Sequence, residues 1–321
     1  MVYAYLVLGL TLILVGANIF TEAASALAKK FNISDFIIGL TVVAIGTSMP
    51  ELIISTIAAL KGSGDMAIGN VLGSNIFNTL AIIGITVIIA PINLTKGNIR
   101  KDIPFSVMAS ALLLVIALVA FYTGKDSISR IEGLVLLVLF VLFILHTISA
   151  AKKSKDSDSN VEEAETVVQT KQKPMWLTIL LALLGLAGLV CGGEVFLDSA
   201  TKIAKQLNIS DAVIAITIMS AGTSFPELAT CVVAAIKGKG EMALGNVVGS
   251  NISNILLVLG ASASATKLSF GDITVGNILF LFIASVLIFI AAFTFKKNKI
   301  DRYEGVIFTL LYMGYTFYLL H

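Results

Sequence analysis

FNISDFIIGLTVVAIGTSMPELIISTIAALKGSGDMAIGNVLGSNIFNTLAIIG, residues Phe31 to Gly84, returns later in the chain as LNISDAVIAITIMSAGTSFPELATCVVAAIKGKGEMALGNVVGSNISNILLVLG, residues Leu207 to Gly260. The two stretches align without a gap at a constant offset of 176 residues, and 29 of their 54 positions are identical. The chain therefore contains a duplication. Each copy sets one carboxylate, Glu51 or Glu227, directly after a proline inside an otherwise apolar segment. An ionisable group in such a segment is costly and marks a functional position, and repeated membrane units build their sites where the repeats meet.

Composition fixes the solvent. Of 321 residues, 57% are hydrophobic and 13% charged, and the mean hydropathy is +0.96; an average soluble domain carries about 25% charged residues. Apolar runs long enough for a bilayer about 30 Å thick lie near 2–24, 36–60, 66–90, 103–122, 131–151, 176–199, 212–236, 242–264, 273–295 and 304–320. The expected fold is an all-α integral membrane protein of ten transmembrane helices. Residues 1–151 form one five-helix unit, 152–175 a polar, mobile cytoplasmic linker, and 176–321 a second unit. The linker has no calcium-loop spacing and is too short for a folded domain.

Alternating the loops between the two sides places 16 of the 22 basic residues together, among them Lys29, Lys96, Arg100, Lys152, Lys237, Lys239 and Arg302. That side is the cytoplasm, and both termini are extracellular. An odd number of helices per unit inverts the second copy relative to the first, which is a transporter architecture. The first apolar run has no basic residue before it and matches the sixth at the same offset, so it reads as a retained helix rather than a signal peptide. Cys191 and Cys231 lie in apolar spans and read as inert core residues, with neither a disulfide framework nor a metal cluster implied.

Within AIGTSMPE, Pro50 cannot donate a backbone hydrogen bond, so the helix kinks there, as it does at Pro226. The kink exposes carbonyl oxygens around Ala44 to Thr47 and Ser220 to Thr223. Thr47 and Ser48 stand four and three residues before Glu51, as Thr223 and Ser224 do before Glu227, at spacings that gather side chains on one helix face. The next helix of each copy carries a polar stripe, Asn70, Ser74 and Asn78 or Asn246, Ser250 and Asn254. Ser74, Asn78, Ser250 and Asn254 read as ion ligands, while Asn70, Asn75, Asn246 and Asn251 suit interhelical hydrogen bonding equally well. Gly69, Gly73, Gly245 and Gly249 have the spacing of helix packing. All the donors are hard oxygens without His or Cys, which favours Na⁺ and Ca²⁺ over zinc or copper. Arg130, Glu132, Arg302 and Glu304, in a weaker echo at offset 172, read as helix-end caps.

The motifs GTSMPE with GSNIFN, and GTSFPE with GSNISN, resemble the two alpha-repeats of the cation/Ca²⁺ exchanger superfamily, in its Na⁺/Ca²⁺ exchanger branch. The resemblance covers the whole ten-helix plan. It implies that Glu51 and Glu227 bind Ca²⁺ together with Thr47 and Thr223. It also implies that Ser48, Ser74, Asn78, Ser224, Ser250 and the carbonyls of Ala44 and Ser220 form flanking Na⁺ sites, and that helices one and six slide across this core. Proton-coupled relatives typically carry GNxxE instead. Asn254 stands where potassium-dependent relatives and some prokaryotic exchangers carry Asp, which disfavours K⁺ cotransport and makes the central site less acidic.

The function expected is an electrogenic Na⁺/Ca²⁺ antiporter of the cell membrane. A Ca²⁺/H⁺ antiporter is the nearest alternative, and a cation channel a more distant one. No nucleophile, metal-ligand set or phosphate cradle suggests an enzyme. No cofactor, nucleic acid or obligate protein partner is expected; the partners are the bilayer and the transported ions.

Overall fold

Runs of apolar residues punctuated by Gly, Pro and Asn become helices. The computed structural model describes residues 2–157, 174–207, 220–295 and 298–320. In the first half lie α1 (Val2–Phe31), α2 (Asp35–Thr47), α3 (Met49–Leu60), α4 (Gly64–Ile89), α5 (Asn98–Tyr122) and α6 (Arg130–Ser157). In the second lie α7 (Met175–Gln206), the single turn Ser220–Gly222, α8 (Phe225–Ile236), α9 (Gly240–Ala265), α10 (Val275–Ala291) and α11 (Arg302–Leu320). Among the described residues six helices are long and apolar enough to cross a membrane, or seven if α2 and α3 count as one bent span. The protein is an all-α membrane protein.

Residues 208–219, which hold the first part of the seventh expected span, lie outside the described residues, as do 158–173 of the expected linker. The linker boundary itself moves, because α6 continues helically from the expected end at 151 to Ser157. Several other helices also outrun their apolar stretches, α1 through Lys29 and Lys30 and α7 through Lys205. Basic residues in a last turn favour the negative end of the helix dipole, so the backbone ladder does not stop where hydrophobicity does.

The span expected at 36–60 is broken. α2 and α3 meet at Ser48 with a bend of 43°, because Pro50 in the first turn of α3 lacks the N–H that would bond back into α2. The second copy breaks alike at Ser224, with Pro226 in the first turn of α8. Gly62 and Gly238 turn the chain into α4 and α9 at φ of 85° and 71°, backbone that favours glycine. Wider π turns interrupt α4 at Phe77–Ile82 and α9 at Asn254–Val258.

Burial orders the helices. The most apolar 18 residues of α9 are 94% buried and those of α4 78%, whereas those of α1, α5, α6 and α7 are between 22 and 39% buried. α4 and α9 are thus the centre. α2 lies directly on α9, where Gly245 and Gly249 leave room for the α2 backbone: a Cβ on either would collide with the carbonyl oxygen of Phe36 or Leu40. That places both glycines in packing, as their spacing suggested, whereas a Cβ on Gly69 would meet only Ile273 at 3.8 Å.

Two short antiparallel pairs, unforeseen in the sequence, tie the halves together. β1 (Ile92–Asn93) pairs with β4 (Lys299–Ile300), and β2 (Ser127–Ile128) with β3 (Leu268–Ser269). Each half gives one strand to each pair, as a two-fold relation between the halves demands. The helix caps fall as read: Glu132 accepts from Ser129 N at 2.6 Å, and Glu304 from Asp301 N at 2.9 Å.

α1 and α7 run against each other backbone to backbone. A Cβ on Gly16 would stand 2.7 Å from Leu189 N and 2.8 Å from Gly185 O, and one on Gly9 would stand 2.6 Å from Phe196 N. Gly16→Val should therefore force the two helices apart, at a cost of about 1–3 kcal/mol for overpacking, and lower the thermal midpoint in detergent by several degrees. Gly314→Ala, where nothing lies within 4 Å, should leave that midpoint unchanged.

Candidate functional site

The two helix breaks face each other across the centre of the molecule. Glu51 and Glu227, in the first turns of α3 and α8, are both 0% exposed. Their hydroxyl partners do not come from their own helices, as the spacing of Ser48 and Ser224 suggested. Ser48 Oγ donates to Glu227 Oε1 at 3.2 Å, and Ser224 Oγ to Glu51 Oε1 at 3.1 Å. The break explains the exchange of partners, since it takes each serine out of helical register with the glutamate three residues on. Each half thus completes the carboxylate of the other.

Thr47 Oγ1 turns back to Val43 O at 3.0 Å and Ala44 O at 3.3 Å, and reaches Asn246 Oδ1 at 3.3 Å. Thr223 Oγ1 lies 3.4 Å from both Asn70 Oδ1 and Ser74 Oγ. Ser74 Oγ in turn donates to Glu51 Oε1 at 3.4 Å, whereas Ser250 Oγ donates to Asn246 Oδ1 at 3.4 Å. The copies diverge here, because α4 supplies a second hydroxyl to its carboxylate and α9 does not. The carbonyl of Ala44, expected to be laid bare by the kink, accepts from Ser48 N at 3.0 Å as well as from Thr47. Kinked backbone recovers a donor one residue after the helix stops. Ser220 opens the turn Ser220–Gly222, and its side chain lies outside the described residues.

Asn75 and Asn251 are helix glue. Asn75 Nδ2 donates to Asn251 O at 3.1 Å, and Asn251 Nδ2 to Thr79 Oγ1 at 2.8 Å. Asn254 Nδ2 is held by Asn75 Oδ1 at 2.9 Å, which leaves its carbonyl oxygen available. Glu51 Oε2, Glu227 Oε2, Asn254 Oδ1 and both amide atoms of Asn78 are buried without a hydrogen-bond partner. Buried polar atoms are nearly always paired, and an unpaired carboxylate far from water is costlier still. Among the described residues no basic side chain pairs with either glutamate, and no group of three or more His, Cys, Asp or Glu occurs. What remains is a set of inward-facing hard oxygens around two acids, the donor chemistry of Na⁺ and Ca²⁺ rather than of a transition metal.

The enclosure is uneven. Asn246 and Thr47 are 0% exposed, whereas Thr223 retains 7% and Asn70 is half-buried. The cysteines also differ from the shared core role expected of them: Cys191 lies on the exposed surface of α7, and Cys231 is buried beside Asn246. Asn70, Asn246, Ser55 and Cys231 belong to the site's surroundings, and the readable signal was the offset of 176 that pairs Ser55 with Cys231 on otherwise apolar helix faces.

A helical membrane protein with a buried, oxygen-lined, doubly acidic centre is the class these observations define. The family model described as sodium/calcium exchanger protein matches residues 1–149 and 177–321. The chain is 35% identical over 317 residues to the putative antiporter CaxA of Alkalimonas amylolytica, covering 98% of this chain and 97% of that one. It is 31% identical over 339 residues to the sodium/calcium exchanger MaX1 of Methanosarcina acetivorans, again covering 98% and 97%. Among solved structures, the sodium-calcium exchanger NCX_Mj superposes with a TM-score of 0.82 at 34% identity, covering 97% of this chain and 96% of that one. The chain belongs to the sodium/calcium exchanger family.

The crossed serines make a thermodynamic signature. A double-mutant cycle of Ser224→Ala with Glu51→Gln, read as thermal stability, should give a coupling of about 1 kcal/mol. The same cycle for Ser48 with Glu51, neighbours in sequence alone, should give a coupling near zero.

Proposed function

We propose that the protein is a secondary-active antiporter exchanging Na⁺ for Ca²⁺ at the Glu51/Glu227 centre by alternating access, electrogenically and without K⁺. The observation that carries the reading is the pair of buried carboxylates, each with one oxygen unpaired and neither, among the described residues, facing a cation of the protein. Two negative charges match one Ca²⁺. The hydroxyl and amide oxygens of Thr47, Ser48, Ser74, Asn78, Thr223, Ser224, Ser250 and Asn254, with the carbonyls of Ala44 and Ser220, offer Na⁺ overlapping places, so the two loads exclude each other. Any Na⁺ count other than two moves net charge. Asn254 adds no third carboxylate, which argues against a K⁺ requirement. The names of MaX1 and NCX_Mj point to the same chemistry, and the family is one of transporters rather than enzymes.

The membrane plan proposed is ten spans in two inverted five-helix repeats, with both termini outside a cell membrane. The strand pairs support it, because β1 and β4 fall in loops that ten alternating spans put in the cytoplasm, and β2 and β3 in loops they put outside. The α1–α7 pair, joined by glycine contacts, is the body that slides. Asn70 and Thr223 stand on the side of the centre toward the outer loops, so their residual exposure fits a site reached from outside.

Radioactive Ca²⁺ uptake into proteoliposomes tests this reading. Uptake should require Na⁺ inside, and should fall roughly 100-fold in Glu51→Gln and Glu227→Gln, the factor given by about 2.7 kcal/mol of lost ion binding. Full activity in either variant refutes the assignment. Uptake driven only by a pH gradient makes the protein a proton antiporter, and uptake indifferent to any ion on the far side makes it a channel.

A further inference from the structure

Asn70 and Asn246 occupy equivalent places in the two copies and are anchored in the same way. Asn70 Nδ2 donates to Ser55 Oγ at 2.9 Å, and Asn246 Nδ2 donates to Cys231 Sγ at 3.3 Å. Ser55 and Cys231 are themselves equivalent, and both are 0% exposed. A carboxamide carries donors on one arm and an acceptor on the other, so tying Nδ2 to α3 or α8 turns Oδ1 toward the interior. There Asn70 Oδ1 takes the hydrogen of Thr223 Oγ1 at 3.4 Å, and Asn246 Oδ1 faces Thr47 Oγ1 at 3.3 Å and Ser250 Oγ at 3.4 Å.

The direction of these bonds matters more than their strength. A hydroxyl has one hydrogen and two lone pairs. Where Thr223 gives its hydrogen to Asn70 Oδ1 and Ser250 its hydrogen to Asn246 Oδ1, the lone pairs are left for a cation; with the amide reversed, Nδ2 would donate to these hydroxyls and drive their hydrogens into the site, whereas Thr47 keeps Val43 O as an acceptor.

We propose that Ser55 and Cys231 are positioning residues for ion binding: as acceptors they fix the two amides so that the site hydroxyls present lone pairs to the transported ion. The inference rests on the antiporter reading and extends it to residues outside the coordinating set. The second copy is held more weakly, because sulfur is a weak acceptor and Cys231 gives its own hydrogen to Ala243 O at 3.5 Å.

The repeat supplies its own conservative exchange, since each copy carries the other's residue. In proteoliposomes Ser55→Ala should raise the KM for Na⁺ and Ca²⁺ about tenfold, the worth of roughly one hydrogen bond, with the maximal rate within about twofold. Cys231→Ala should raise it by a smaller factor, roughly threefold, given the weaker bond. Ser55→Cys should restore KM in part, as the weaker sulfur acceptor allows, and Cys231→Ser should keep it at or below the wild-type value, as a purely space-filling role would not predict for two residues of different volume. Unchanged KM in both alanine variants, or a loss in Ser55→Ala that Ser55→Cys fails even in part to restore, overturns the proposal. Should Ser55→Ala not fold, Cys231→Ala against Cys231→Ser makes the same comparison. Wild-type vesicles without Na⁺-dependent uptake refute the antiporter reading instead. Calorimetric titration of the detergent-purified protein with CaCl₂ then still decides the positioning role, because binding requires no transport.

Discussion

Two carboxylates buried side by side, without a basic partner among the described residues, are the constraint on which the rest of this structure depends. Removing such charges from water costs several kcal/mol for each ion unless something positive replaces the lost hydration. The fold answers with hydroxyls on one oxygen of each glutamate and leaves the other oxygen bare. The centre is thus left with acceptors that no donor among the described residues satisfies. The helix breaks serve the same end. Pro50 and Pro226 start new helices one residue before each acid, so Glu51 and Glu227 sit in first turns, where the positive end of the helix dipole favours negative charge.

A site that must load and release ions also needs a part that moves and a part that does not. α4 and α9 are the most buried of the long helices and are pinned to one another through Asn75, Asn251 and Asn254. The strand pairs bind the loops of the two halves at two further places. α1 and α7 have a different attachment: their closest contacts are with each other, through glycines whose backbones nearly touch.

Much of this was legible in the residues. The duplication, the membrane setting, the kinks at Pro50 and Pro226, the burial of both glutamates and the capping of Glu132 and Glu304 all follow from local patterns, since proline geometry and hydropathy act over a few residues. What could not be read was long-range. Spacing placed Ser48 beside Glu51, yet its hydrogen goes to Glu227, because pairing across an interface is set by how two helices meet and not by their own periodicity. The Ala44 carbonyl is a local matter instead: Pro50 removes the donor to Gly46 O, four residues before it, and leaves the Ser48 N bond to Ala44 O in place. Composition made Cys231 an inert filler; only the packing of α8 on α9 shows it holding an amide.

The crossed serines make each copy depend on the other. Because Ser48 serves Glu227 and Ser224 serves Glu51, neither unit is chemically complete by itself: a solitary copy would have a serine with no acid and an acid without its serine. The two serine bonds therefore exist only while the copies are in contact, and neither copy could be removed without stripping the other's glutamate of its serine. That mutual dependence does not make the copies alike, since Glu51 also takes the hydrogen of Ser74 while Ser250 gives its own to Asn246.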